Sequence, residues 1–201
     1  MARVHALKKL LTLKIVYYGP GLSGKTTNLL RLHADYPAQE RGDLVKLDTD
    51  TERTLFFDYF PANLGSIGQY RLRADFFTVP GQSFYNATRR AVLEGVDGVV
   101  FVADSAPSRE EANVVTVDNM VDNLATLHVD PMELPMVFQW NKRDVPGAIP
   151  ERILSRQLNR FGAAEVPAVA KQGDGVWETQ AEILRRVIER LRVRSRGKIG
   201  A

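Results

Sequence analysis

The sequence predicts an α/β domain, with a mostly parallel six-stranded sheet, one antiparallel edge strand and helices on both faces. Apolar segments of strand length alternate with helix-like segments along most of the chain. Two of these segments, 99–103 and 136–140, are apolar almost throughout, as strands covered on both faces are. A length of 201 residues fits one such domain better than two, so we expect a single domain over 1–201.

The individual elements follow from apolar runs and from the residues that interrupt them. Proline restricts the residue before it, so Pro37 is expected to end the first helix and Pro61 to close an aromatic strand. Ser108 is a candidate cap for a long helix with Glu110 and Glu111 in its first turn. The predicted elements are strand 13–18, helix 25–35, a short strand 44–47, strand 55–60, hairpin loop 63–68, strand 70–79, helix 83–94, strand 99–103, the long helix after 108, strand 136–140, helix 150–160, strand 166–169 and helix 176–194.

The composition indicates an ordinary soluble globular protein. Hydrophobic residues make up 44% and charged residues 25% of the chain. No run approaches the roughly 18 apolar residues of a membrane span, and the N-terminal segment has no apolar core long enough for a signal peptide. Cysteine is absent, which excludes disulfides and a prenylated C-terminus, and the three histidines are scattered singly. We therefore expect a cytoplasmic protein without a metal site built from its own side chains alone.

The net charge of +3 is concentrated at the end of the chain. Residues 185–201 contain seven basic side chains against Glu189 alone, and residues 194–201 are expected to form a basic tail after the last helix. Such a tail can attract acidic membrane or nucleic acid. The favoured interpretation is a solvated helix end, because no aromatic residues interleave for stacking on bases. No nucleic-acid partner is expected, and membrane contact is the less favoured alternative.

The stretch Gly19–Thr26 matches the phosphate-loop pattern G-x-x-x-x-G-K-T in the strand–loop–helix context that the pattern requires. Glycines let successive backbone N–H groups point into one concavity, and the following helix adds a positive dipole end. A glycine turn that binds nothing is the alternative, and it is disfavoured because pattern and context coincide. The predicted nucleotide-binding residues here are Gly19, Pro20, Gly21, Leu22, Ser23, Gly24, Lys25, Thr26 and Thr27.

Three of these residues have specific predicted roles. Lys25 is expected to reach the β and γ phosphates, and the Thr26 hydroxyl to coordinate Mg²⁺. Gly21 stands where any side chain would intrude on the γ-phosphate. The sequence therefore predicts a nucleoside phosphate ligand bound together with Mg²⁺.

A second motif, Asn141 to Asp144, follows a buried strand and predicts a guanine site. The aspartate carboxylate can accept hydrogen bonds from guanine N1–H and the exocyclic amine, a donor pair that adenine lacks. The stem of Lys142 can lie along the base, and Asn141 can tie this loop to the phosphate loop. An ordinary polar turn is the alternative. After the last strand, the backbone N–H groups of Ala170 and Lys171 are candidates to meet the guanine oxygen.

The stretch 78–82, Thr-Val-Pro-Gly-Gln, supplies a candidate sensor for the γ-phosphate. The Gly81 N–H can bond to this phosphate, and Gln82 can orient the attacking water. Thr54 can offer its hydroxyl to Mg²⁺, so loss of the γ-phosphate would free both loops. Arg53 can supply the positive charge that phosphoryl transfer needs, and a solvated loop arginine is its alternative. The predicted catalytic residues are Gln82, Arg53, Lys25 and Gly81.

With these residues in view, the chain resembles the small Ras-like GTPases and, more closely, the bacterial MglA family. The resemblance covers nearly the whole domain, and the Thr-Val-Pro-Gly-Gln form is particular to that family. Ras-like proteins generally have an aspartate where Thr78 stands, and it holds a water on Mg²⁺. A hydroxyl can hold that water without charge, which implies weaker Mg²⁺ binding or slow intrinsic turnover. The carrying stretches are 14–28, 52–58, 78–87, 95–107 and 141–144.

The resemblance implies a P-loop GTPase domain that binds GTP and GDP with Mg²⁺ and acts as a molecular switch. It implies slow intrinsic hydrolysis, stimulated by a dimer of a roadblock-fold partner, MglB. Arg53 and Gln82 match the arginine and glutamine that this partner brings to the nucleotide from within the GTPase itself. The resemblance further implies effectors on the switch regions, a role in cell polarity and in gliding or type IV pilus motility, and a cytoplasmic protein enriched at one cell pole when GTP is bound.

Three alternatives stay open on sequence grounds. They are a guanine-nucleotide-binding module with negligible hydrolysis, an MglA paralogue outside motility, and a P-loop kinase or ATPase of another class. The presence of Gln82 and Arg53 favours hydrolysis over binding alone. A kinase would need an acceptor or lid segment that we do not find, and it would not need Asp144. Residues 30–50, the chain beyond Ala148 and the valine at 169, where many Ras-like proteins have serine, follow the family only loosely.

Overall fold

The computed structural model describes residues 3–47, 57–81 and 85–197. Within these ranges the chain forms eight strands and five α-helices. The strands are β1 (Arg3–His5), β2 (Leu10–Tyr18), β3 (Val45–Leu47), β4 (Phe57–Ile67), β5 (Tyr70–Thr78), β6 (Gly98–Asp104), β7 (Met136–Asn141) and β8 (Ala164–Pro167). The helices are α1 (Lys25–Asp35), α2 (Asn86–Leu93), α3 (Glu110–Thr126), α4 (Glu151–Leu158) and α5 (Val176–Gly197).

The described strands form one sheet in the order β3-β4-β5-β2-β6-β7-β8, and β1 pairs with the start of β2. Strands β5, β2, β6, β7 and β8 are parallel, whereas β1, β3 and β4 each pair antiparallel with a neighbour. The predicted fold class, a Ras-like α/β fold with a mostly parallel sheet, is confirmed. Over the described residues the sheet has eight strands and not the predicted six. The short β1 was not predicted, whereas β3 matches the short strand predicted at 44–47.

The core is divided by the sheet into two layers. Along β2, Ile15 and Tyr17 point to one face, which α1 and α5 cover, and Val16 and Tyr18 point to the other, which α2, α3 and α4 cover. Strands β6 and β7 are buried at every position, as predicted for strands covered on both faces. This arrangement places the carboxyl ends of β2, β5, β6 and β7 at one edge of the sheet, where ligands bind in open α/β folds.

Two predicted boundaries in the antiparallel hairpin were wrong. The strand expected to close at Pro61 continues to Ile67, and the expected loop 63–68 is strand up to that residue, with a register shift between Asn63 and Ser66. The Pro61 carbonyl accepts from the Gly42 N–H, so its backbone nitrogen faces the outer side of β4 and not the ladder with β5. Proline is tolerated at that side because no ladder donor is lost there.

The remaining helix and strand boundaries differ less. Ser108 lies in a short 3₁₀ turn and does not cap α3, which starts at Glu110 without a side-chain cap. Helix α5 continues to Gly197, through the region where a tail was expected from 194. Strand β8 ends at Pro167, earlier than expected, and α2 is described from Asn86. None of the described helices is long and apolar enough to cross a membrane.

Candidate nucleotide-binding site

The phosphate-loop motif connects β2 to α1 at the carboxyl edge of the sheet. Gly24, the residue before α1, has a φ of 104°, which an L side chain rarely adopts. Leu22 has a φ of 65° although it is not glycine, and its side chain is 87% exposed. The loop is therefore held in an unusual backbone conformation, as a cradle for phosphate requires.

Lys25 is the buried cation of this loop. Its ammonium donates to the carbonyl oxygens of Gly19 at 2.9 Å and Pro20 at 2.7 Å, and the side chain is 6% exposed. Burial, and to a smaller extent the nearby cation Arg89, lower the pKa of Lys25 to about 7. A phosphate bound in the loop would place a negatively charged group beside this buried cation.

Asn141, the last residue of β7, connects the two predicted motifs. Its Nδ2 donates to the Ser23 carbonyl at 2.7 Å, and its Oδ1 accepts from the Ala170 N–H at 2.9 Å. A Cβ on Gly24 would lie 2.2 Å from this Nδ2, so only glycine permits so close an approach. The sequence had assigned Asn141 this tie to the phosphate loop, and the geometry places the side chain there.

We expect Asn141→Ala to lower the free energy of unfolding by about 2–4 kcal/mol, because two buried polar groups lose their partner. Urea unfolding at a fixed nucleotide concentration measures the change. Asn63→Ala on the exposed side of β4 is the matched control, with an expected change below about 0.5 kcal/mol. Equal stability of the two variants would contradict this account of Asn141.

The residues predicted to bind the base differ in their burial and contacts. Lys142 has a φ of 64°, and its ammonium lies 2.6 Å from the Asp104 carboxylate, which is buried. Asp144 is exposed to solvent, where a base would cover it. The Ala170 N–H was predicted as a possible donor to the guanine oxygen, but in this structure it donates to Asn141 Oδ1. Lys171 lies in the same turn and is exposed.

The loop after β5 lies directly over the phosphate loop. A Cβ on Gly81 would come within 2.4 Å of the Gly21 Cα and 3.2 Å of the Lys25 Nζ, so Gly81 touches the phosphate loop itself. A cavity of about 720 Å³ opens beside this contact. It is lined by the predicted residues Gly21, Leu22, Gly24, Lys25, Thr26, Thr27, Thr78 and Gly81, and also by Lys46, Phe57, Asp58, Val79, Pro80 and Tyr85.

Asp58 is a site residue that the sequence analysis missed. Its buried carboxylate accepts hydrogen bonds from the hydroxyls of Thr26 at 2.6 Å and Thr78 at 3.1 Å, and its N–H donates to the Thr78 oxygen at 2.8 Å. The register of β4 against β5 brings Asp58 beside Thr78, and the sequence analysis assigned no register to this hairpin. No local sequence signal could have found this pairing.

These oxygen atoms fit a hard divalent cation. Mg²⁺ prefers oxygen ligands and keeps water and phosphate oxygens among them, so two hydroxyls around one carboxylate suit it. Among the described residues, there is no group of three or more His, Cys, Asp or Glu side chains that could hold a metal ion. The donor set therefore suits a cation that arrives with a phosphate ligand.

Three predicted site residues lie outside the described part of the chain: Arg53, Thr54 and Gln82. Arg109 was not predicted. Its Nη2 donates to the Gly21 carbonyl at 2.7 Å, and its Nε is 3.9 Å from the Asp104 carboxylate. The turn after β6 is thereby attached to the phosphate loop.

Comparison with known proteins identifies a relative over most of the chain. The sequence is 46% identical over 179 residues to the Mutual gliding-motility protein MglA of Myxococcus xanthus strain DK1622. The match covers 89% of this chain and 92% of that protein. No protein-family model matches the sequence.

Proposed function

The chain belongs to the MglA family of small GTPases, and from this we propose that it is a molecular switch that hydrolyses GTP to GDP and phosphate with Mg²⁺. In this proposal Lys25 binds the β and γ phosphates, and Asp144 selects guanine through N1–H and the exocyclic amine. Bound Mg²⁺ would neutralise developing charge on the phosphates. Thr26 and Thr54 would coordinate the ion directly. Thr78 and Asp58 would lie further from the ion, outside its direct ligands.

One observation supports hydrolysis over binding alone: Gly81 touches Gly21 of the phosphate loop. In this proposal the γ-phosphate would lie beside that contact. The Gly81 N–H would bond to it, and Gln82, the next residue in the sequence, would orient water for in-line attack. Arg53 supplies positive charge to the transition state in the same proposal.

The partner and the biological role are also proposed. The relative is named as a gliding-motility protein, which supports a role for this chain in gliding motility. A role in type IV pilus motility and in cell polarity is proposed from the resemblance to the MglA family. A roadblock-fold dimer of the MglB type would stimulate hydrolysis, and effectors would bind the loops that carry Thr54 and Gln82. Enrichment of the GTP-bound protein at one cell pole belongs to the same proposal.

The test is GTP turnover by the full chain, with and without a purified roadblock-type partner. We expect stimulated turnover to fall at least about 100-fold in Gln82→Ala and in Arg53→Ala, because positioned water and charge are lost. GDP affinity should change by less than about threefold in both variants, since neither residue is proposed to bind GDP. Arg152→Ala, an exposed arginine on α4, is the matched control.

Two results would contradict this proposal. Stimulated turnover that survives both substitutions would show that other groups carry the hydrolysis. Tight binding of guanine nucleotide by the wild-type chain, without turnover in any mixture, would leave a binding module that signals by occupancy alone.

A further inference from the structure

Arg89 of α2 is a buried cation that the proposed mechanism does not use. Its side chain is 3% exposed. The guanidinium donates through Nε to the Pro80 carbonyl at 2.9 Å and through Nη2 to the Gly81 carbonyl at 2.7 Å. Its Nη1 donates to Asn119 Oδ1 of α3 at 2.7 Å. These three described acceptors are neutral oxygen atoms. The hydrogen bonds therefore fix the positions of the groups that Arg89 contacts and are not ion pairs.

We propose that Arg89 is a positioning residue for GTP hydrolysis, which orients the Gly81 N–H against the phosphate loop. The inference rests on the proposed function, because it assigns a role within that same reaction. It is based on the hydrogen bonds that one planar guanidinium donates to two successive peptide groups in the loop after β5.

Because the peptide group is planar, a hydrogen bond to a carbonyl oxygen also fixes the direction of the N–H group in the same peptide. In a trans peptide the carbonyl of one residue and the N–H of the next point in opposite directions. A hydrogen bond that fixes the Pro80 carbonyl therefore fixes the direction of the Gly81 N–H, the proposed donor to the γ-phosphate. The bond to the Gly81 carbonyl adds a second anchor on the same residue. Arg89 makes both bonds at once, because its N–H donors lie in one plane with a fixed spacing.

Arg89 is itself held by a hydrogen-bonded cluster that reaches the phosphate loop. Asn119 Oδ1 accepts from both Arg89 and the Tyr18 hydroxyl, the latter at 2.7 Å. Tyr18 is the last residue of β2 and directly precedes Gly19, and its ring centroid is 5.6 Å from the Arg89 Cζ. Asn123 donates to the same hydroxyl at 3.1 Å. The base of the phosphate loop and the loop that carries Gly81 are thus fixed to one framework.

The Arg89→Lys variant tests this inference, because it keeps the charge and loses the planar donor fork. We expect its single-turnover GTP hydrolysis to fall about tenfold or more, while its GDP affinity stays within about threefold of wild type. The affinity ratio of a non-hydrolysable GTP analogue to GDP should also fall, because the Gly81 N–H contacts only the γ-phosphate. Arg90→Lys, the exposed neighbour on the same helix, is the matched control and should behave as wild type.

A second variant covers the case in which Arg89→Lys does not fold. Asn119→Ala removes the third anchor of the guanidinium, together with the acceptor of the Tyr18 hydroxyl and the donor to Asn86, at a half-buried helix position that suits alanine. It should lower hydrolysis and the analogue-to-GDP ratio in the same direction, to a smaller extent. Unchanged values for both quantities in the variants that fold would overturn the inference. So would a loss of GDP affinity in proportion to hydrolysis, which indicates a structural role alone.

This experiment distinguishes a failure of the proposed GTPase function from a failure of the role proposed for Arg89. If wild-type protein binds no guanine nucleotide or does not turn over GTP, the proposed function falls and the role of Arg89 falls with it. If wild type hydrolyses GTP and Arg89→Lys does so equally well, only the role of Arg89 is lost.

Discussion

Asp144→Asn is expected to change the base preference of the site from guanine to xanthine. The carboxylate accepts two hydrogen bonds from guanine, whereas an asparagine amide accepts from N1–H and donates to the oxygen that xanthine carries in place of the amine. GTP affinity should fall about 100-fold or more, since a polar mismatch at a hydrogen-bonding site is strongly rejected. XTP should become the tighter ligand. The exposed position of Asp144 allows the substitution without loss of core contacts.

Displacement of a fluorescent GDP analogue by GTP, XTP and ATP measures the change. Wild type should be displaced by GTP and not by ATP, because adenine lacks the donor pair. Asp43→Asn makes the same charge change at another exposed loop position and should leave all three affinities unaltered. If the Asp144 variant still prefers GTP over XTP, the motif 141–144 is a polar turn and the base is selected elsewhere.

Local sequence patterns were sufficient for the parts of this protein that depend on local geometry. The phosphate loop, α1 and the buried strands β6 and β7 each follow from a short pattern whose physics is contained in neighbouring residues. The role of Asn141 was also predictable, because the motif specifies a side chain that reaches a neighbouring loop.

Pairings between distant residues were not predictable in the same way. Proline usually closes a strand, and the sequence does not say which side of β4 Pro61 faces, so the extent of the hairpin was missed. The contact of Asp58 with Thr78 depends on the register of that hairpin. Arg89 and Arg109 read as surface cations in a helix and a turn, and their roles appear only when α2 and the turn after β6 pack against the phosphate loop.

The Asp58 carboxylate is expected to carry most of the Mg²⁺ dependence of nucleotide binding. With Thr78 where Ras-like proteins have an acidic residue, a hydroxyl alone would supply no charge. Asp58 on the neighbouring strand supplies that charge beside the Thr26 hydroxyl. We expect Asp58→Asn to raise the Mg²⁺ concentration for half-maximal GDP retention about 100-fold, because a neutral amide is a weak partner for a hard cation. Nucleotide release over a Mg²⁺ titration measures it.

The sign of the effect without metal separates this role from simple damage to the site. In EDTA the Asp58→Asn variant should bind GDP as tightly as wild type or more tightly, because a carboxylate beside the phosphates repels them when no cation intervenes. Asp75→Asn, at a carboxylate that pairs with Arg73 on β5, is the control and should leave the Mg²⁺ dependence unchanged. Weaker GDP binding by the Asp58 variant in EDTA would show that the residue supports the fold of the loop and not the cation.

Thr78→Asp, which installs the residue that Ras-like proteins carry, should therefore weaken the site and not improve it. The Thr78 hydroxyl lies 3.1 Å from the Asp58 carboxylate and donates to it, so an aspartate would place two carboxylates in contact. Like charges at that distance disfavour the doubly ionised state, and one carboxyl would hold a proton. Only the double variant Thr78→Asp with Asp58→Asn should recover Mg²⁺ dependence close to wild type, because it moves the single negative charge from one strand to the next. Full Mg²⁺ dependence in the single Thr78→Asp variant would show that the two positions act independently.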